Sequence, residues 1–482
     1  MPDTPDVPLA PDVPLAPRRT GGTHRTDGLH RTGGPRTGGA PHASAAGPVP
    51  RGPGGRPLRV AHLTTVDMSL HLLLGTELRH DVACGFETYG ISAPGPYTDR
   101  VEALGVTHVP LPALTRAWDP RRDAAAAREL LAALRRIRPD VLHTHNPKTG
   151  VLGRVLGRAA RVPVVVNTCH GLWAQAHDPL ARRALVLGAE ALAARFSHAE
   201  LYQNGEDRRT LARAVPARRS RVVGNGVDLD RFADGVDLDR FADGAGRAAA
   251  RARVRAELGA ADGDLLVGGV GRRVAEKGLP EYAAAARALA GKARFVWIGP
   301  EDPDKPDALA AAPGGPLDGV VLPGERADMP DVYAALDLFV LPSHREGFSR
   351  SAMEAAAAGL PMVLSDIRGC REIGNHGEHL LLVPPGDPAA LAAAVDRLLT
   401  DADLRRRLGG AARRRAREAF DQRAVARVSV QTYAAVARAR GLGWTTAPYG
   451  PGEPDGPAAP YAPGRPLSGG TAHRGAADHR GG

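Results

Sequence analysis

LLVGGVGRRVAEKGLPEYAAAARALAGKARFVWIG, from Leu265 to Gly299, decides how the rest of the chain is read. Leu265–Val270 is a short apolar run of the kind that forms a buried parallel strand. It runs into a glycine-bounded turn, Gly271 to Gly278, and then into an alanine-rich helix, Leu279–Leu289. A second apolar run, Ala293–Gly299, follows. Strand, turn, helix and strand make the unit of a doubly wound parallel sheet, in which ligands bind beyond the carboxyl ends of the strands.

The same alternation extends both ways. Downstream, strands are expected at Gly319–Leu322, Leu336–Leu341, Pro361–Ser365 and Leu380–Val383, with a helix at Arg350–Gly359 and closing helices near 388–399, 401–419 and 422–441. Upstream, strands are expected from Arg59 and at Val82–Phe86, Thr107–Leu111, Asp140–Thr144, Val162–Thr168, Ala199–Gln203 and Ser220–Val223. Helices at Asp123–Ile137 and Gly150–Ala160 lie between them. The α/β stretch 58–442 is longer than one core supports. It divides into Rossmann-like halves at 58–225 and 263–420, facing a cleft. A linker at 226–262 joins them, and a helix at 421–442 is expected to pack back toward the first half.

The ends differ in composition. The 482 residues include 58 Gly and 42 Pro, concentrated before Pro57 and after Gly443. The first tail repeats PDVPLA at Pro5–Ala10 and Pro11–Ala16. Residues 1–57 and 443–482 cannot bury enough apolar surface to offset their ordering entropy, so both read as disordered. The irregular spacing of His24, His30 and His42 does not make a metal tract. Inside the linker, GVDLDRFAD occurs twice, at Gly226–Asp234 and Gly235–Asp243; its Asp-Leu-Asp is a poor metal site in a turn-rich segment.

The net charge is +10, from 63 basic and 53 acidic residues. Only Lys148, Lys277, Lys292 and Lys305 are lysines, so the excess is arginine, as in a high-GC genome. A lysine or asparagine that survives such a bias is less readily filler. Arg405–Arg407 and Arg413–Arg415 fall in helical patterns without aromatic stacking platforms and read as solvated faces, which argues against nucleic acid. The three cysteines show no C-x-x-C spacing. No signal-peptide core and no run of 18 apolar residues is present, so the expected location is cytoplasmic. Arg182, Arg183 and Arg195 flank the apolar stretch Ala184–Ala194 and raise peripheral contact with an anionic membrane, although an arginine-rich solvated helix is the plainer reading.

Chemistry is expected after the strands. Beyond Leu341 comes Pro342-Ser343-His344-Arg345-Glu346-Gly347-Phe348-Ser349 and a helix carrying Glu354. Small residues there let a ligand approach the backbone, and a helix start favours an anion. Arg272 and Lys277, in the turn after Val270, match a diphosphate in charge. The bland alternatives are a helix cap at Glu346 and a basic surface turn. His170-Gly171 ends the Val162–Thr168 strand. His143, His145, Asn146 and Lys148 follow another strand, where alternate residues share a face. His143 and His145 lack an evident third metal ligand.

GRRVAEKG, EGFSRSAME, SDIRGCREI and GNGVDLDRF resemble the retaining family 4 glycosyltransferases of GT-B fold. VLHTHNPKTGVLGRVLGRAARVPVVVNTCHG resembles the first half of the subgroup that builds capsular and other cell-surface glycans. The resemblance spans about 58–442. It implies that Glu346 contacts hydroxyls of the transferred sugar while Gly347, Phe348 and Ser349 offer backbone N–H groups. It implies that Glu354 binds the ribose of a nucleotide sugar and that Arg272 and Lys277, beside Gly271, hold the diphosphate. They would stabilise its growing charge in place of a metal. His170 would face the donor sugar as the second catalytic residue. His143, His145, Asn146 and Lys148 would line the acceptor side. No cofactor is implied; the partners are a nucleotide-sugar donor and a glycan or lipid-linked acceptor. Arg273 stands where the family has Leu, and Glu378-His379 where it commonly has Asn-Gly. A nucleotide-sugar epimerase of the same fold and a non-catalytic nucleotide-sugar-binding protein are the rival readings.

Overall fold

The computed structural model describes residues 49–447, apart from 146, 175–177, 234–244, 262, 304 and 313. A short strand β1 (Val49–Arg51) comes first. The first half is then a parallel sheet of β2 (Arg59–Val66), β3 (Glu87–Ala93), β4 (Thr107–Pro110), β5 (Val141–His145), β6 (Val164–Cys169), β7 (Ala199–Tyr202) and β8 (Ser220–Val222). Their spatial order is β4-β3-β2-β5-β6-β7-β8. The second half is a parallel sheet of β9 (Leu266–Val270), β10 (Arg294–Ile298), β11 (Val320–Gly324), β12 (Leu338–Leu341), β13 (Met362–Ser365) and β14 (Leu381–Val383), ordered β11-β10-β9-β12-β13-β14. Chain order reverses between β2 and β5 in one sheet and between β9 and β12 in the other. Those two switch points are where doubly wound sheets leave a crevice for ligand. The two-domain, doubly wound architecture is the one expected from the alternation of apolar runs.

Four helices position the site: α1 (Gly75–Ala83), α2 (Leu180–Ala193), α3 (Arg350–Ala357) and α4 (Gln422–Ala439). Although it closes the chain, α4 lies on the first domain. Its Val428, Val430, Tyr433 and Val436 share one buried cluster with Val60, Val141, Val164 and Val166. The central strands, such as β5 and β12, are buried along their whole length, which is why they read as continuous apolar runs.

The sequence reading needs three corrections. Val82–Phe86 is not a strand. Val82 and Ala83 finish α1, Gly85 turns the chain at φ 75°, and the strand begins at Glu87. Three apolar residues at a helix end carry no periodicity to separate the two readings. Both tails are also drawn too long in that reading. Val49–Arg51 pairs antiparallel with β15 (Thr445–Ala447), so the two ends of the described chain are tied together in a separate two-stranded sheet, and Val49 packs into the first domain's core. Nor do the described residues of 226–262 serve only as a linker. Val227 exchanges backbone hydrogen bonds with Phe420 and Gln422, at 2.9 and 3.2 Å. Phe232 is buried edge-on against Tyr333. Further along, Arg251 and Arg255 both grip Asp337.

The first copy of GVDLDRFAD is therefore part of the second domain's core, with Asp230 bound to Arg423 rather than to any companion carboxylate. The second copy, Gly235–Asp243, lies outside the described residues. Because Phe232 already fills the aromatic slot and loop length costs little, deletion of Gly235–Asp243 is expected to leave the melting temperature within about 2 °C of the parent. A loss of several degrees in differential scanning fluorimetry would assign the second copy a structural role.

Candidate active site

The domains meet backbone to backbone. Gly171, at φ 119°, follows β6, and a Cβ placed on it would lie 2.6 Å from the Cα of Gly347. A Cβ on Gly347 would lie 1.8 Å from the carbonyl oxygen of His170. Two asparagines hold this contact from the first domain. Asn204 Nδ2 donates to the Gly347 carbonyl at 3.1 Å, and Asn225 Nδ2 donates to the Phe348 carbonyl at 3.3 Å. Below them Arg368 reaches across to Asp207 at 2.8 Å and to the carbonyls of Leu172 and Ala174. Glu372 accepts from the Gly205 amide at 3.1 Å.

On the second-domain side, Glu346 and Lys277 come together although 69 residues separate them. Lys277 Nζ is 2.6 Å from Glu346 Oε1, which also accepts from Ser343 at 2.8 Å. Gly278 makes this possible. It takes φ 72°, and any Cβ there would sit 2.0 Å from the Pro342 carbonyl. Gly271, next to Lys277, accepts a 2.9 Å hydrogen bond from Trp297 through its carbonyl. Arg272 binds Asp302 and Arg273 binds Glu301. Glu346 does not cap the helix; Ser349 does, its hydroxyl accepting from the Ala352 amide. Phe348 is buried, edge-on to Phe420. Glu354 accepts a 2.9 Å hydrogen bond from Tyr333, and burial raises its carboxyl pKa against the opposing pull of Arg350 and the Tyr333 hydroxyl.

His170 joins this group from across the cleft. Burial first, and then the Arg350 guanidinium, push its imidazole down to about 4. Its ring does not point freely at the cleft. Nε2 lies 2.9 Å from His145 and Nδ1 lies 2.8 Å from Gln203.

The expected acceptor-side set is placed differently. His143 and His145 share a face of β5 with ring centroids 4.2 Å apart, but both are fully buried. His143 spends its two nitrogens on Tyr433 and Thr168, each at 2.7 Å. Lys148 is turned inward onto the carbonyls of Thr115 and Ala117 and onto Asp123. It fastens the loop before the helix at Pro120 and faces no groove. Asn146 lies outside the described residues. A strand's alternation identifies which residues share a face, and cannot say whether another helix covers that face; here α1 and α4 cover it.

These helices also bring up what the sequence pattern lacked. His62 from β2 and Glu77 from α1 join His143 and His145, each offering one ligand atom within 4.8 Å of the others. Spacing alone would let the four hold a divalent cation. However, both His143 nitrogens already face hydroxyls, and His62 and His145 face one another at 3.1 Å. As built, the cluster is a hydrogen-bond network.

Sequence reasoning missed Arg350, Asn204, Asn225, Arg368 and Glu372. The composition did hold a signal for two of them: the whole chain has five asparagines, and Asn204 and Asn225 are both spent on the cross-domain contact.

Two family models match, one described as Glycosyltransferase Family 4 over residues 77–231 and one as Glycosyl transferases group 1 over residues 265–401. The 2-deoxystreptamine N-acetyl-D-glucosaminyltransferase of Streptomyces fradiae is 30% identical, covering 67% of this chain and 80% of that protein. The chain belongs to the family 4 glycosyltransferases. Another relative in the family is the UDP-Gal:alpha-D-GlcNAc-diphosphoundecaprenol alpha-1,3-galactosyltransferase of Escherichia coli, 28% identical, covering 57% of this chain and 70% of that protein. In fold, this family 4 enzyme is similar to Anabaena Alr3699/HepE, solved in complex with UDP-glucose. The TM-score is 0.63 at 19% identity, covering 78% of this chain and 99% of that one.

The buried imidazoles make the stability of this glycosyltransferase pH-dependent in a definite direction. Burial holds His143 and His145 well below the ordinary histidine pKa, His170 at about 4 and His198 at about 3. Unfolded, each takes a proton near pH 6.5. Their contribution is therefore complete above that pH and is lost as pH falls toward the folded values, by about 1.4 kcal/mol per pH unit for each histidine. His62 runs the other way, because burial is outweighed by Asp81 and its folded pKa is raised. Its contribution is full below pH 6.5 and fades as pH rises through the raised value. Urea midpoints should fall steeply from pH 6.5 to pH 5. A flat midpoint over that interval would show that the rings are not held neutral.

Proposed function

We propose that this enzyme transfers a sugar from a nucleotide-sugar donor, with retention and without a metal, to a diphosphate-linked lipid glycan at a membrane surface. The observation that carries the donor half is the 2.6 Å pair of Lys277 and Glu346 in the cleft, with Arg272 in the same turn. A diphosphate entering there competes for Lys277 and Arg272 with multiply charged oxygens. It thereby releases Glu346 to accept hydroxyls of the transferred sugar. The two cations then stabilise the charge that develops on the leaving diphosphate, the task a metal performs elsewhere. Glu354, with one oxygen on Tyr333, keeps the other for the ribose.

Retention is supported by the resemblance of the EGFSRSAME motif and by the state of His170. An inverting displacement needs a base facing the acceptor hydroxyl. Both His170 nitrogens are committed to His145 and Gln203, which leaves it suited to position the donor rather than to take a proton. The test is a panel of nucleotide sugars with EDTA present and no acceptor, with release of nucleoside diphosphate measured. Slow hydrolysis of one donor is expected, falling by about 100-fold or more in Glu346→Ala. Dependence on added divalent metal, or sugar isomerisation without nucleotide release, would overturn the reading.

The acceptor half rests on a groove of about 860 Å³ between the domains, bordered by α2 and lined by Arg183 and Arg209 together with Arg368, paired with Asp207, and Arg371, paired with Glu206 and Asp366. On α2, Leu180, Leu185 and Leu192 are 79%, 73% and 56% exposed, and Trp173 is 41% exposed just before it. Apolar side chains beside arginines suit a lipid whose headgroup is a diphosphate, the acceptor class in the name of the Escherichia coli relative. No helix among the described residues is long and apolar enough to cross a membrane. Sedimentation with vesicles containing anionic lipid should recover the parent chain and lose Leu180→Asp/Leu185→Asp, with donor hydrolysis unchanged. Equal sedimentation of both would remove the membrane from the proposal.

A further inference from the structure

A line of hydrogen bonds runs from the interior of the first domain to the cleft. Asp81 Oδ2, on α1, lies 2.8 Å from His62 Nε2. His62 Nδ1 lies 3.1 Å from His145 Nε2. His145 Nδ1 lies 2.9 Å from His170 Nε2, and His170 Nδ1 lies 2.8 Å from Gln203 Nε2. Asp81, His62 and His145 are all fully buried. The other oxygen of Asp81 is buried without a hydrogen-bond partner, so His62 is the group this carboxylate holds.

Each imidazole in the line has the same orientation, and donor–acceptor logic then leaves only two proton arrangements. With every ring neutral, His62 donates to Asp81 and must accept at Nδ1. His145 must therefore donate from Nε2 and accept at Nδ1, and His170 must do the same, receiving its last hydrogen bond from the Gln203 amide. All three rings are Nε2–H tautomers. If His62 carries a second proton, its Nδ1 becomes a donor and the line reverses. His145 and His170 then become Nδ1–H tautomers, and Gln203 must turn its carbonyl oxygen to the ring. One proton enters at the His170 Nδ1 end as one is gained by His62; the ring atoms stay in place and only the Gln203 amide turns.

We infer that Asp81, His62 and His145 are positioning residues for His170, forming a relay that sets which of its ring nitrogens bears the proton. The inference rests on the donor-side reading of His170 given above. The entry point exists. His170, Gln203, Glu77, Asn225 and Arg350 border a crevice of about 30 Å³ at the domain junction, room for a single water. Reversal of the line turns the Gln203 amide and exchanges an oxygen for an N–H group on the wall of that crevice, opposite Arg350.

The charges around the switch raise the pKa of His62 above the ordinary histidine value, Asp81 and Glu77 together outweighing burial. His62 is faced by Asp81 and Glu77 from α1, by His143 and His145 from β5, and by the line to His170 after β6; Tyr433 of α4 closes the cluster over His143. Asp81 stabilises a cationic His62, against the burial that opposes it. The same rings are spaced for a divalent cation, but His143 is already bonded to Tyr433 and Thr168, and the hydrogen-bonded line accounts for every nitrogen of the other two, His62 and His145.

The test uses the full chain labelled with ¹⁵N-histidine, free of donor, with ring tautomers read from long-range ¹H–¹⁵N spectra across pH 5.5 to 9. The His170 signals are assigned by their loss in His170→Gln. Exchange of His170 from Nε2–H to Nδ1–H is expected as pH falls and His62 titrates. In Asp81→Asn the transition should move down by about 1–3 pH units, and in His145→Gln the His170 tautomer should no longer follow His62. A His170 tautomer that stays fixed while His62 titrates, an unmoved transition in Asp81→Asn, or stoichiometric metal in the purified protein would each overturn the relay. Because no donor is present, these outcomes are independent of the transferase reading. If that reading holds, kcat for donor hydrolysis follows the same transition and shifts with it in Asp81→Asn, with KM following only if Gln203 touches the donor.

Discussion

At Gly171 and Gly347 the two domains touch through main chain alone, at separations that leave no room for a side-chain carbon on either residue. Much of the cleft depends on this contact. It sets the distance between the His170 carbonyl and the Glu346–Ser349 loop. It also lets Asn204 and Asn225 reach the carbonyls of that loop, and it brings Arg350 close enough to depress the His170 pKa. Carbonyl groups brought together this closely need donors, and the two asparagine amides supply them. Arg368 and Glu372 complete the bridge with charged groups, where a single lost partner leaves a buried charge unpaired.

A second constraint acts behind the first. The C-terminal helix leaves the second domain at Phe420, pairs there with the first GVDLDRFAD copy, and crosses to cover one face of the first sheet. Tyr433 of that helix meets His143, in the same cluster whose rings lead to His170. The joint that holds the domains together and His170 are thus parts of one packed unit.

In the second domain most of the site follows from local sequence. Gly271, Lys277 and Gly278 follow a strand, and Pro342 through Ser349 follow the neighbouring strand, so the fold alone brings both loops to one end of the sheet. Glu346 and Lys277 meet because those strands, β9 and β12, are hydrogen-bonded neighbours. In the first domain the same reasoning placed His143 and His145 together on a face, but misjudged what lies over them. Strand periodicity carries no information about a helix arriving from the far end of the chain. The role of Lys148 was missed for a similar reason: its scarcity marked it as meaningful, and its partners proved to be the carbonyls of a loop it fastens.

The sequence by itself determined the two doubly wound domains, their order along the chain, the strand-end loops that carry Lys277 and Glu346 and the family to which the chain belongs. These depend on short-range patterns: apolar runs, glycine turns and motifs a few residues long. Only the tertiary structure decided that Glu346 rests on Lys277, that the β5 histidines are buried, and that His62, Glu77 and Asp81 join them. It also decided that the cleft is closed by glycine on glycine. Each of these joins residues distant in sequence through packing between elements, and that packing depends on the shape of the whole chain rather than on any stretch of it.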